Sequence, residues 1–263
     1  MSTTAESPHV AREDAGGVAT LTLDRGDRFN PLSLAMLTGL EARLDEVAAD
    51  RSVKAVVLAA AGRGFCAGHD LKELRAHAGD EAWQRRFFGD ASRVMVKLTQ
   101  LPQPVVARVH GIATAAGAQL VSMCDLAVAS EEARFALPGV NVGLFCSTPA
   151  VGVARNVGRK RAMELLLTGE PVDARTALAW GLVNRVVPLD ALDAEVKRFT
   201  DLVVARSARV ISAGKRAFYR QLDQSLGDAY EGTGREMVSG MLQPDAVEGI
   251  EAFLGKRAPR WPG

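Results

Sequence analysis

Two stretches of this chain repeat one form, and that form decides what the rest can fold into. AVVLAAAGRGFCAGHD (55–70) and PVVARVHGIATAAGAQ (104–119) each pass from a β-branched apolar run through small residues into a helix start. A short apolar run with no polar alternation reads as a strand buried on both faces, which needs helices above and below it. Further strands are expected over 18–24, 126–129 and 183–187. Helices are expected from Ser33 to about Ala49, from Asp70 to about Ala78, and over 83–101, with Ser33 and Asp70 as capping residues. Strands alternating with helices imply crossover connections and a largely parallel α/β sheet. Both small-residue loops then lie at the carboxyl ends of strands, where open α/β sheets bind ligands.

From Leu189 to Arg257 the pattern is almost only helical, over 189–207, 210–222, 228–240 and 245–256. Helices with no sheet to cover are candidates for contacts between subunits. The expected organisation is a disordered lead-in (1–15), a core (16–195) and a C-terminal helical oligomerisation region (196–263).

Composition narrows the function. Hydrophobic residues make up 48% of the chain, enough for a full core, and 32 basic side chains nearly balance 31 acidic ones. That balance argues against a nucleic-acid partner. The most apolar region, 105–129, is broken by Arg108, His110, Gln119 and Asp125, so no membrane span is expected. Cys66, Cys124 and Cys146 have no metal or redox spacing and read as reduced, packed thiols. The N-terminal stretch lacks a signal core, and Glu6, Glu13 and Asp14 suit a transit peptide poorly, so a cytoplasmic protein is expected. His9, His77 and His110 form no metal-ligand set with cysteines or acids, and no metal is expected.

Small residues let a ligand reach the main chain, and the first N–H groups of a helix have no internal partner. Two such N–H groups on one oxygen would polarise a carbonyl. The plainer alternative is that Gly62, Gly64, Gly68, Gly111 and Gly117 serve turns and close helix–sheet packing. Gly62, Gly64 and Ala67 also match the dinucleotide fingerprint, but its helix would open only near Asp70, and Asp90 falls inside a helical pattern. A phosphate-binding GK[ST] loop and a G-x-S-x-G elbow are absent.

GRGFCAGHDLKEL (62–74), HGIATAAGAQLVSMCDLAVASEEARFALPGVNVGL (110–144) and TGEPVDARTALAWGLVNRVV (168–187) resemble, in order and spacing, the enoyl-CoA hydratase/isomerase, or crotonase, superfamily. The resemblance implies an α/β, crotonase-like ββα spiral core with a C-terminal helical trimerisation region, trimers pairing into hexamers. It implies an acyl-CoA thioester as substrate, coenzyme A entering only as part of it and no permanently bound cofactor. The family's thioester oxygen is held by two backbone N–H groups, which carry over to His69 and Ala116, the latter where relatives usually have glycine. Ala67, Gly68, Asp70, Leu71 and Lys72 inherit coenzyme A contacts, mainly through backbone, and Arg28 and Lys256 are weaker matches for its phosphates. Trp83, Phe87 and Phe88 either line an acyl pocket or pack the core.

The family's two catalytic glutamates carry over to Gln119 and Gly139. A carboxamide does not accept a proton at neutral pH and glycine has no side chain. Ser147, where some relatives place an acid, and neighbouring Cys146 are weak bases. Ordinary hydration of an enoyl thioester is therefore doubtful, which leaves either other thioester chemistry or binding without turnover.

Overall fold

A computed structural model describes residues 9–262. The strands are β1 (Val10–Ala15), β2 (Val18–Leu23), β3 (Ala55–Ala60), β4 (Val105–Val109), β5 (Ala113–Thr114), β6 (Leu126–Ser130), β7 (Arg134–Ala136), β8 (Val172–Asp173) and β9 (Arg185–Val187). The helices are α1 (Leu34–Ala49), α2 (Leu71–Ala76), α3 (Glu81–Gln100), α4 (Ala116–Met123), α5 (Ser147–Val157), α6 (Arg159–Thr168), α7 (Ala174–Trp180), α8 (Leu192–Val204), α9 (Ala208–Gln221), α10 (Leu226–Met241) and α11 (Pro244–Leu254). The main sheet runs β1-β2-β3-β4-β6-β9, parallel except for the β1–β2 pair, and β5-β7-β8 form a small second sheet.

All six residues of β3 are buried because both faces of the sheet are covered. Val56 and Leu58 join the core under α1 and α3, with Met36, Leu40 and Leu44 from one helix and Val94 and Leu98 from the other. Val57 and Ala59 face Leu192 and Val196 of α8. Continuous apolar strands are what a doubly covered parallel sheet requires. Ser33 caps α1 by accepting from the Met36 N–H, and Asp70 caps α2 by accepting from Lys72 and Glu73.

Two expectations about organisation are corrected. Residues 10–15, assigned to a disordered lead-in, form β1, whose backbone pairs antiparallel along β2; residues 1–8 of that segment lie outside the described residues. The boundary at 195/196 falls inside α8, which packs on the sheet through Leu192 and Val196 and so belongs to the core layers.

α9 is pinned to the core by a buried network. Lys215 Nζ donates to Asp125 Oδ2 at 2.6 Å and to the Leu98 and Gln103 carbonyls, and Tyr219 donates to Asp125 Oδ1 at 2.9 Å. The Val105 N–H completes the carboxylate's shell at 2.7 Å. Burial pushes the Lys215 ammonium below its usual range, against the pull of Asp125. Asp125 thus has a structural role. No helix among the described residues is long and apolar enough to cross a membrane.

Candidate active site

The two small-residue loops lie edge to edge. Phe65 and Cys66 donate to the Ile112 carbonyl, the Thr114 N–H donates to Cys66 at 2.9 Å, and the Thr114 hydroxyl donates to the Ala67 carbonyl. Glycine is required where the loops touch: a Cβ on Gly117 would stand 2.1 Å from the Cys66 carbonyl oxygen. Gly68 (φ +91°) is pressed against the second loop, where an added Cβ would lie 2.9 Å from the Ala115 methyl and 3.3 Å from the Ala116 nitrogen. Close packing of the two loops is therefore a property of these glycines.

Backbone geometry leaves donors over. His69 bridges Leu32 in parallel: Leu32 N–H donates to Gly68 O and Asp70 N–H donates to Leu32 O. The neighbours of His69 therefore face Leu32, and its own N–H faces the opposite way. Ala116 is the first residue of α4, where an N–H has no intrahelical acceptor. Neither N–H has a hydrogen-bond partner among the described residues. Ala115, which precedes Ala116, holds φ +50° and ψ −120° as its N–H donates to the Ala136 carbonyl. A non-glycine residue there is strained.

The His69 imidazole does not accompany its N–H. It packs edge-on to Phe87 and Phe88, with ring centroids 5.3 and 5.4 Å away, and Nε2 is buried without a partner. Burial holds its pKa down to about 4, so the ring is neutral at pH 7. Trp83 stacks between His77 and Phe87, and Trp83 and Phe87 belong to the core. Phe88 is only partly buried and touches the His69 ring, so it is the aromatic of α3 nearest the open side.

The acid positions differ in kind. Gln119, one turn into α4, is buried, 5% exposed. Gly139 is also buried, and a Cβ there would lie 2.8 Å from the Leu144 carbonyl oxygen and 2.9 Å from Cys146 Sγ. The 144–146 segment is closed onto Gly139: Leu144 N–H donates to Gly139 O at 2.9 Å, and the Gly139 N–H serves the Cys146 sulfur. Burial raises the Cys146 thiol above its ordinary pKa, so it is protonated at neutral pH. Cys66 is likewise raised, to about 12. Ser147 opens α5, its hydroxyl weakly bonded to the Phe145 carbonyl.

Of the residues carried over for coenzyme A, Ala67, Gly68, His69, Asp70, Leu71 and Lys72 form one continuous edge, with Ala67, Leu71 and Lys72 exposed. Glu73 is committed elsewhere, accepting from the Leu34 N–H at 2.9 Å. Arg28 is exposed and precedes Phe29, whose carbonyl takes the Ala67 N–H. Lys256 follows α11, and no hydrogen bond or ion pair among the described residues joins it to this edge.

One organising residue escaped the sequence reading. Asn30, fully buried at φ +50°, donates through Nδ2 to the Ala61, Gly64 and Phe65 carbonyls and so shapes the first loop. The Asn-Pro dipeptide 30–31 was the available signal, because asparagine tolerates left-handed backbone before a turn.

A model of the family described as enoyl-CoA hydratase/isomerase matches residues 13–263. Human enoyl-CoA hydratase domain-containing protein 3, mitochondrial, is 46% identical over 254 residues, covering 97% of this chain and 83% of that protein. A crystal structure of an enoyl-CoA hydratase from Mycobacterium smegmatis superposes with a TM-score of 0.95 at 51% identity, covering 97% of this chain and all of that one. The crystal structure of the human domain-containing protein 3 gives 0.93 at 44% identity, covering 96% of this chain and 100% of that one. The rat, frog, human, mouse and zebrafish relatives carry "mitochondrial" in their names, which overturns the cytoplasmic expectation.

Proposed function

The chain belongs to the enoyl-CoA hydratase/isomerase family, and on that premise we propose that it binds an acyl-CoA thioester and polarises its carbonyl between the His69 and Ala116 N–H groups. The observation that carries this reading is the pair of unpartnered N–H groups on two loops held together by the Cys66–Thr114 and Thr114–Ala67 hydrogen bonds. Donors of this kind stabilise charge developing on an oxygen and need no reorganisation, each contributing roughly 100- to 1,000-fold in rate.

Hydration also needs a proton removed from water and one delivered to the α-carbon. Each positioned acid or base contributes roughly 100- to 10,000-fold. With a carboxamide at Gln119 and a closed backbone contact at Gly139, hydration falls several decades below that of a two-carboxylate site. The reaction class left is chemistry that passes through a stabilised enolate without those two acids. Binding without turnover is the second reading, favoured by the closure of Gly139 against Cys146, which leaves no room for a side chain. Coenzyme A lies along 67–72, with Arg28 near its phosphates, and copies of the chain assemble through the C-terminal helices as trimers or hexamers of trimers paired.

Calorimetry with an acyl-CoA and with its thioether analogue, which lacks the carbonyl, tests the core of this reading. Wild-type protein should prefer the thioester, and His69→Pro, which deletes one donor, should erase the preference while retaining affinity for coenzyme A itself. Equal affinity of wild type for the two ligands would refute it. Crotonyl-CoA hydration at the rate of a two-glutamate relative would refute the reading of Gln119 and Gly139.

A further inference from the structure

Three rings meet around one point beside the His69 donor. The His69 imidazole lies 5.3 Å from Phe87 at 75° and 5.4 Å from Phe88 at 77°, and Phe87 meets Phe88 at 5.4 Å and 89°. All three contacts are edge to face, the arrangement that sets the positive rim of one ring against the negative face of the next. Behind them Trp83 stacks on Phe87 at 5.0 Å and 18°, and His77 on Trp83 at 4.1 Å and 10°. Trp83 and Phe87 are buried, so packing sets the angle of these rings before any ligand arrives. Of the three aromatic side chains of α3, only Phe88 is partly open.

An acyl chain leaving a carbonyl held by the His69 N–H meets this wall first, because ring and donor belong to one residue and Phe88 touches that ring. The Gly139 side offers no such path, being closed by the Leu144 carbonyl and Cys146. What the wall accepts follows from its chemistry. The Nε2 of His69 is enclosed and has no hydrogen-bond partner among the described residues, so a polar acyl group reaches it only by parting the three rings. An alkyl chain gains buried area against Phe88 and loses its own rotamer freedom. A flat ring also buries area, has fewer torsions to lose, and adds an edge-to-face contact that no saturated chain makes.

We infer that the acyl group this site selects is an aryl one, a phenyl ring close to the thioester carbonyl, and that Phe88 is the residue that reads it. This rests on the reading that His69 and Ala116 hold a thioester, and it adds the substrate class and the selecting side chain. Phe88 acts on specificity alone: it touches the acyl group and not the reacting oxygen.

Calorimetry with phenylacetyl-CoA and cyclohexylacetyl-CoA tests this on the full chain, with two ligands of similar size that differ in whether the ring carries π electrons. Wild type should prefer the phenyl ligand. The ratio of the two affinities should fall roughly 2- to 12-fold in Phe88→Leu, a comparison in which the ligands' own hydrophobicities cancel, and Phe88→Tyr, which keeps the ring, should keep the ratio. Proton NMR of bound phenylacetyl-CoA needs no variant: its ring protons should move upfield under the shielding of Phe88 and His69. A wild type that binds the cyclohexyl ligand as tightly or more tightly, a ratio unchanged by Phe88→Leu, or unshifted ring protons overturns the inference. Thioester polarisation survives any of these, because the comparison of thioester with thioether does not depend on the acyl group. Loss of that thioester preference in wild type overturns both.

Discussion

Supplying the missing acids one at a time separates a site that merely lacks them from a site that has closed over one of them. Gln119→Glu changes an amide for an isosteric acid on a helix already in place, and no contact in the chain has to move. Gly139→Glu is different. Its Cβ alone would stand 2.8 Å from the Leu144 oxygen, 2.9 Å from Cys146 Sγ and 3.1 Å from the Cys146 nitrogen. Two of those three atoms are backbone, so the 144–146 segment must shift. Overpacking of this kind costs about 1–3 kcal/mol even for a methyl, and about 2–4 °C of melting temperature per kcal/mol is expected at this chain length. Gly139→Ala should therefore melt roughly 2–12 °C lower, and Gly139→Glu lower still, because its carboxylate enters a buried site. In a crotonyl-CoA assay Gln119→Glu should raise hydration by roughly 100-fold or more, and Gly139→Glu should add nothing to it. A Gly139→Glu protein that melts with the wild type, and whose acid adds decades of rate to that of Gln119→Glu, would refute the closure of this position.

Three further expectations follow from the packing. His69, neutral when folded with a pKa of about 4 against an ordinary 6.5, binds fewer protons folded than unfolded in that interval. Stability should fall as pH drops from about 6.5 through 4, by about 3 kcal/mol for His69; burial also lowers His110, so urea melts across that window should show a clearly steeper slope in wild type than in His69→Leu, and equal slopes would contradict the buried neutral ring. Lys215→Met leaves the Asp125 carboxylate buried without its cation and should cost about 3–5 kcal/mol, seen as an early melt with α9 amides exchanging first. Ala115→Gly relieves a strained backbone and should raise stability by about 1 kcal/mol after the entropy lost with glycine; a lowered melting temperature would show the methyl to be holding the loops together.

Much of the fold was legible because the strands that matter most are buried on both faces. β3 and β4 are uninterrupted apolar runs, and Ser33 and Asp70 announce their helices by the side-chain oxygens that cap them. β1 was not legible because VAREDA is an edge strand with one buried residue, and its charges read as a solvated tail. α8 was assigned to the appendage because its apolar stripe does not say which surface it covers. At the site, Gly68 and Gly117 were legible as places needing bare backbone. The closure of Gly139 was not, since it depends on a carbonyl and a thiol returning from five and seven residues later. The organising role of Asn30 arises from three carbonyls that only the folded loop brings together.

The measurement that bears most directly on carbonyl polarisation is the vibrational spectrum of the ligand itself. With a saturated acyl-CoA labelled with carbon-13 at the thioester carbonyl, isotope-edited infrared difference spectroscopy reads the C=O stretch in the bound state. Two backbone N–H donors on the oxygen should lower that frequency below its value in water, and His69→Pro should return most of the shift. A bound thioester whose carbonyl absorbs at or above its aqueous frequency would contradict the account.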